Sequence, residues 1–226
     1  VEDSRLVVLN ARDAQARGAT ILTRSRVSAA RAADGLWEVT LDTDGGPKTL
    51  RARMLVNAAG PWVGALIHGT LGLNVRDKVR LVRGSHIVTK RLYDHDKCYF
   101  FQGTDGRIIF AIPYESDFTL IGTTDADHAD PDTPPRCSDE ERDYLCTFAS
   151  QYFKRPVTAA DVVWSYSGVR PLYDDGARSA TAATRDYVLK TDQSAGAPVL
   201  HVFGGKITTY RRLAEAALAR IGKVLP

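Results

Sequence analysis

The sequence predicts a mixed α/β (α+β) chain in which a partial doubly wound layer is interrupted by an inserted antiparallel sheet. Three observations carry this reading. Helical patterns with one apolar face accompany short apolar strands near both ends of the chain. From Lys78 onward, strand patterns follow one another across tight turns with no helix between them. After residue 166 the chain returns to a strand, a glycine pair and a helix.

The elements follow in order. Residues 3 to 17 place Leu6, Val7, Ala11 and Ala14 at helical spacing, with Asp3 or Ser4 as N-cap and Gly18 as the stop. Ala19 to Leu22 reads as a short buried strand. Leu36 to Leu41 alternates, Asp44-Gly45-Gly46-Pro47 turns, and Lys48 to Val56 returns as the second arm of a hairpin. That arm ends in Met54-Leu55-Val56, an apolar run suited to burial on both faces. Asn57-Ala58-Ala59-Gly60-Pro61-Trp62 then allows close backbone approach, with Pro61 starting a helix to about His68.

The antiparallel sheet is read from Val79 to Thr89, Lys97 to Gln102, Arg107 to Ile112 and Phe118 to Thr123. A loop from Asp127 to Arg136 leads into a helix from about Ser138 to Phe153, where Ser138 and Glu141 have the spacing of a capping box. Val162 to Val169, Asp186 to Thr191 and Val199 to Val202 read as strands, separated by a polar loop from Asp174 to Ala183. A last helix carries Leu213, Ala217, Ile221 and Leu225 on one face. The division this implies is 1–76 with 166–226 for the doubly wound layer and 77–165 for the antiparallel sheet.

Composition narrows the function classes. With 226 residues, 44% hydrophobic and 25% charged, the chain can bury a core and is neither disordered nor collagenous. Thirty Lys and Arg against 27 Asp and Glu leave a net charge of only +3, which gives no case for nucleic acid as a partner. Cys98, Cys137 and Cys146 are odd in number and form no CxxC, which argues against a disulfide framework or a zinc site and for a reducing compartment. Met54 to Val75 lacks charges, but Asn57, Pro61, His68 and Asn74 with four glycines make it a strand, loop and helix rather than a transmembrane span. No secretory signal opens the chain, and a first residue other than Met inside a helical pattern suggests an upstream part.

Two kinds of residue point to chemistry. Phe203-Gly204-Gly205-Lys206-Ile207-Thr208 joins a strand end to a helix start, so backbone N–H groups, the helix dipole and Lys206 can face an anion. Arg170 and Arg185 stand at loop-like positions where guanidinium groups could fork onto a phosphate, with a salt bridge such as Arg170 to Asp174 as the plainer alternative. Asp125, Asp127, Asp130 and Asp132 resemble a calcium loop, but Asp130 occupies the glycine position and Arg136 the final glutamate position, so no metal site follows. No HxxxH, HExxH or GxSxG spacing occurs, and His86 is the histidine that stands out as a site residue.

The segments LVNAAGPW (55–62), RLVRGSHIV (80–88), LIGTTD (120–125), WSYSGVRPL (164–172), TRDY (184–187) and FGGKITTYRRLAE (203–215) together resemble the FAD-dependent glycerol-3-phosphate dehydrogenase family, within the D-amino-acid-oxidase-like flavoproteins. The resemblance implies oxidation of sn-glycerol 3-phosphate to dihydroxyacetone phosphate by hydride transfer to FAD, with electrons passed to a quinone. It implies a cytoplasmic enzyme, peripheral on the inner face of the cell membrane, and a homodimer. Residues 1–76 and 166–226 would then form part of an FAD-binding domain, and 77–165 the substrate domain.

By the same resemblance, the backbone around Val27 contacts the adenine side of FAD. Ala59, Gly60 and Trp62 line its cleft, and Gly204, Gly205, Lys206, Ile207 and Thr208 face the flavin. Arg170 and Arg185 clamp the substrate phosphate, Lys206 also binds the substrate, and Lys206 or His86 takes the hydroxyl proton. The sequence departs from the family in one respect. The GxGxxG turn that seats the pyrophosphate does not occur in it, which implies an internal fragment of a longer enzyme. Alternatives are an anion-binding module without flavin, an oxygen-using glycerol phosphate oxidase, and an amine-oxidising relative.

Overall fold

The protein is described by a computed structural model covering residues 3–104, 106–176, 184 and 186–225. It divides into two compact units, one of residues 1–77 with 185–226 and the other of residues 78–184. The first boundary falls one residue after the expected position, but the second lies well beyond residue 166. Strand β10 (Val162–Tyr173) pairs antiparallel with β5 (Val79–Lys90) along its whole length, from Val162 opposite Thr89 to Tyr173 opposite Val79. A continuous ladder holds 166–173 in the second unit.

The first unit opens with helix α1 (Asp3–Ala16), which Gly18 ends at φ +96°. The expected strand at Ala19 to Leu22 is not formed. The Ala19 N–H turns back to the Ala14 carbonyl at 3.0 Å, which keeps the chain in a helix-end turn, and Ile21 and Leu22 remain 40% and 50% exposed. Instead β1 (Ser25–Ala33), β2 (Leu36–Thr43) and β3 (Lys48–Ala52) form an antiparallel meander. Asp34 and Gly35, at φ +53° and +75°, make the two-residue turn between β1 and β2. β2 carries the expected alternation, burying Trp37, Val39 and Leu41.

The strand expected over Lys48 to Val56 is two strands in two sheets. β3 ends at Ala52, and β4 (Leu55–Asn57) pairs parallel with β12 (Val199–Gly204), which also pairs antiparallel with β11 (Tyr187–Asp192). Val56 is exposed rather than covered on both faces. β12 is central, and all of Val199 to Phe203 is buried. Helix α4 (Tyr210–Ile221) closes one face of this sheet, packing Leu213, Ala217 and Ile221 on Leu189, Leu200 and Val202. The Trp37 indole N–H donates to the Pro198 carbonyl at 2.8 Å, tying the meander to the start of β12. After β4, a 3-10 turn (Gly60–Trp62), helix α2 (Val63–Ala65) and a wider turn (Leu66–Thr70) replace the single helix expected to His68.

The second unit is a six-stranded antiparallel sheet in the order β10-β5-β8-β7-β6, with β6 at Tyr99–Gln102, β7 at Ile108–Tyr114, β8 at Phe118–Gly122 and β9 (Ala126–Asp127) pairing β5. Helix α3 (Asp139–Ser150) covers one face, and Leu145, Cys146, Phe148 and Ala149 meet Ile87, Ile109, Ala111 and Ile121 in the core. The capping box is present: Ser138 accepts from the Glu141 N–H, and the Glu141 carboxylate accepts from the Ser138 N–H.

Candidate active site

In the first unit, the parallel pair β4 and β12 brings two turns to the C-terminal ends of neighbouring strands, where open α/β sheets bind ligands. The Gly60–Trp62 turn packs against β12. Asn57 organises it from the end of β4. Its Oδ1 accepts the Ala59 N–H at 3.3 Å, and its Nδ2 donates to the Val63 carbonyl at 3.1 Å. Gly60 has φ +57°, and Trp62 is 45% exposed.

Past the end of β12, Gly204 and Gly205 have φ +69° and +104°, a conformation that side chains disfavour. A Cβ on Gly205 would also come within 3.2 Å of Leu213 Cδ1. The chain therefore passes as bare backbone into a second turn, where Lys206 and Thr208 are exposed and Ile207 half-buried. Val27 lies on β1 beside a bulge that leaves Ser28 out of register, with the Ser28 hydroxyl held by Asp42 Oδ1 at 2.9 Å.

In the second unit, strand register collects a different set on one sheet face. Directly opposed residues share a face, so the row Phe100, Phe110, Gly122, His86, Tyr166 runs across five strands. Two residues along, Gly84 faces Gly168, and Val82 faces Arg170. His86 stacks on Tyr166, with ring centroids 4.9 Å apart and planes within 7°. Its ring lies over Gly122, where a Cβ would come within 2.2 Å of His86 Cδ2. The Arg170 guanidinium lies over Gly84 in the same way, 2.3 Å from where a Cβ would stand. The glycines are seats for the two side chains.

Arg170 does not pair with Asp174. Its Nη1 donates to Asp125 Oδ1 at 2.7 Å and to the Thr124 carbonyl at 3.3 Å, and its Nη2 donates to Thr123 Oγ1 at 2.9 Å. The 123–125 segment thus holds the guanidinium flat against the sheet. Of the other basic residues on β5, Arg80 forks onto Asp127 and Arg83 meets Glu141. Arg185 lies outside the described residues.

The structure therefore gathers Arg170 and His86 on one face of the second unit. Ala59, Gly60, Trp62 and Gly204 to Thr208 flank one strand end of the first. Four features escaped sequence reasoning: Asp125 as the partner of Arg170, Gly84 and Gly122 as seats, Tyr166 as the support of His86, and His201 beside Asn57. His201 left a trace, as a polar residue inside the apolar run of β12. No helix among the described residues is long and apolar enough to cross a membrane.

The model of the FAD dependent oxidoreductase family (DAO) matches residues 1–211. D-erythritol 1-phosphate dehydrogenase of Brucella abortus is 47% identical over 100% of this chain and 45% of its own length. Glycerol-3-phosphate dehydrogenase of Pseudomonas aeruginosa is 46% identical over 98% of this chain and 44% of its own. The solved structure of glycerol-3-phosphate dehydrogenase from Bacillus halodurans, complexed with FAD, matches with a TM-score of 0.76 and 29% identity, covering 94% of this chain and 41% of that one. The chain spans less than half the length of these relatives. It belongs to the FAD dependent oxidoreductase family.

Proposed function

We propose that this chain is part of a flavoenzyme that oxidises a polyol phosphate, with sn-glycerol 3-phosphate converted to dihydroxyacetone phosphate. The observation that carries the reading is the Arg170 guanidinium seated over Gly84 on the face that also presents His86. A fork of N–H donors suits a phosphate, and an imidazole beside it suits proton transfer from a neighbouring hydroxyl.

The residues of the first unit fit FAD. Two consecutive glycines at positive φ give backbone access free of side chains, and Lys206 next to them supplies positive charge. We assign Gly204 to Thr208, Ala59, Gly60 and Trp62 to the flavin side and the backbone at Val27 to the adenine side. FAD, when bound, supplies the acceptor for the hydride leaving C2 of the substrate.

The protein residues do the rest. Arg170 exchanges part of its hold on Asp125 for the phosphate and fixes the orientation of C2. The C2 hydroxyl proton passes to the His86 imidazole as the carbonyl forms, so that C2 loses one hydride and its oxygen one proton. Lys206 is the alternative proton acceptor, and Arg185 a second phosphate ligand. Electrons then pass to a quinone, in a cytoplasmic homodimer peripheral on the inner face of the membrane.

A second reading keeps the chemistry and lengthens the substrate, to D-erythritol 1-phosphate. The 47% identity to the Brucella enzyme supports it. Anaerobic titration of the FAD-loaded protein, read by loss of flavin absorbance, separates the two. Bleaching by glycerol 3-phosphate at lower concentration supports the first, and by erythritol 1-phosphate the second. No bleaching by either removes the polyol phosphate reading. Peroxide formation in air would replace quinone with oxygen as acceptor.

A further inference from the structure

We propose that Glu141, away from the exposed site face and at first sight only a helix cap, is a positioning residue that sets the seat of Arg170; the inference rests on the phosphate-binding role of Arg170 proposed above. Glu141 is a buried carboxylate at the N-terminus of α3, and its two oxygens are divided between two tasks. Oε2 accepts the Ser138 N–H at 3.1 Å and meets Arg83 Nη2 at 2.9 Å. Oε1 accepts from Thr124 Oγ1 at 2.6 Å and from Ser85 Oγ at 3.0 Å.

The second pair does nothing for the helix. A carboxylate only accepts, so both hydroxyls are fixed as donors toward it, which settles the direction of the whole network. Thr124 Oγ1 must then accept the Ser85 N–H, 2.9 Å away, with its remaining acceptor capacity. Ser85 Oγ, donating to Glu141, accepts from Ser167 Oγ at 2.7 Å. One carboxylate thereby joins β5, β10 and the 123–125 connector. That connector is the segment whose Thr123 hydroxyl, Thr124 carbonyl and Asp125 carboxylate hold the Arg170 guanidinium.

Burial pushes the Glu141 carboxyl up, but the hydrogen bonds from Thr124, the Ser138 N–H, Ser85 and Arg83 outweigh it and hold the group below the usual carboxylate range. It stays charged at neutral pH, as the four-donor arrangement requires. An amide cannot take its place. The Gln oxygen can serve one pair of donors, but its NH2 would face the other pair.

The test compares Glu141→Gln, Thr124→Val and Ser138→Ala in the FAD-loaded enzyme, with binding of inorganic phosphate measured by calorimetry as a readout independent of turnover. Thr124→Val cuts the link to the connector while leaving the helix cap, and serves if Glu141→Gln does not fold. Both should raise KM for glycerol 3-phosphate and weaken phosphate binding about tenfold, the scale of a charge-assisted hydrogen bond, with kcat changed less than KM. Ser138→Ala should lower the melting temperature and leave KM in place. If Glu141→Gln and Thr124→Val lower only the melting temperature, Glu141 is a cap and nothing more. If Arg170→Ala itself leaves phosphate binding intact, the reading of Arg170 fails instead.

Discussion

Asn57 Nδ2 lies 3.3 Å from His201 Nδ1, across the parallel strands β4 and β12. The orientation of the amide is set by two backbone groups, since Oδ1 takes the Ala59 N–H and Nδ2 gives to the Val63 carbonyl. His201 Nδ1 therefore accepts, the ring proton sits on Nε2, and the imidazole is neutral. Nε2 is buried and has no hydrogen-bond partner among the described residues. The turn proposed to line the cofactor cleft rests on this pair.

Acid should loosen the first unit through His201. Burial lowers its pKa below the ordinary 6.5, with Asp192 and Asp77 pulling it up less strongly. The unfolded chain thus takes up the proton before the folded one. The contribution to stability is full above about pH 6.5 and falls as pH drops through the folded pKa, at no more than ~1.4 kcal/mol per pH unit. Urea midpoints between pH 7.5 and 5 should fall less steeply in His201→Asn than in the native chain. Parallel curves would assign the acid sensitivity elsewhere.

Gly84→Ala should separate folding from binding. The added Cβ meets the guanidinium end of Arg170, which can swing aside only by giving up contacts to the 123–125 segment, so the melting temperature should fall modestly while the fold is kept. The displaced guanidinium should raise KM for glycerol 3-phosphate by roughly tenfold, the equivalent of one hydrogen bond to a charged group. An unchanged KM would detach Arg170 from the substrate.

Trp37 should be the most sensitive residue of the meander. It is fully buried, and its N–H satisfies the Pro198 carbonyl. Trp37→Phe should cost about 1–3 kcal/mol for the unpaired carbonyl, and Trp37→Ala about 3–5 kcal/mol for the cavity. A Trp37→Phe variant as stable as the native chain, measured by urea unfolding, would show that the hydrogen bond contributes nothing, and equal losses in the two variants would assign the whole cost to it.

The three thiols should react in order of exposure. Cys98 is exposed, Cys137 half-buried and Cys146 buried, and burial pushes the Cys137 and Cys146 thiols up, away from the reactive thiolate. A thiol reagent at pH 8 should modify Cys98 first and Cys146 only on unfolding, as mass spectrometry of quenched samples can show. Early loss of Cys146 would mean that the α3 face opens in the native state.

Several elements are specified by local signals alone. The β2 alternation that buries Trp37, Val39 and Leu41, the Ser138–Glu141 capping box and the glycine pair at 204–205 each follow from residue type and short-range spacing. The same is true of the motifs that mark the family. Tertiary structure decided whatever depends on a distant partner. Ser25 to Ala33 has no strong alternation and becomes a strand through pairing with β2. Lys48 to Val56 splits because Leu55 to Asn57 finds β12, far along the chain. The site shows the same division. Arg170 and His86 could be named from their motifs, but Asp125, Gly84, Gly122 and Tyr166 become their partners only through the register of β5 against β8 and β10, and no local pattern encodes that register.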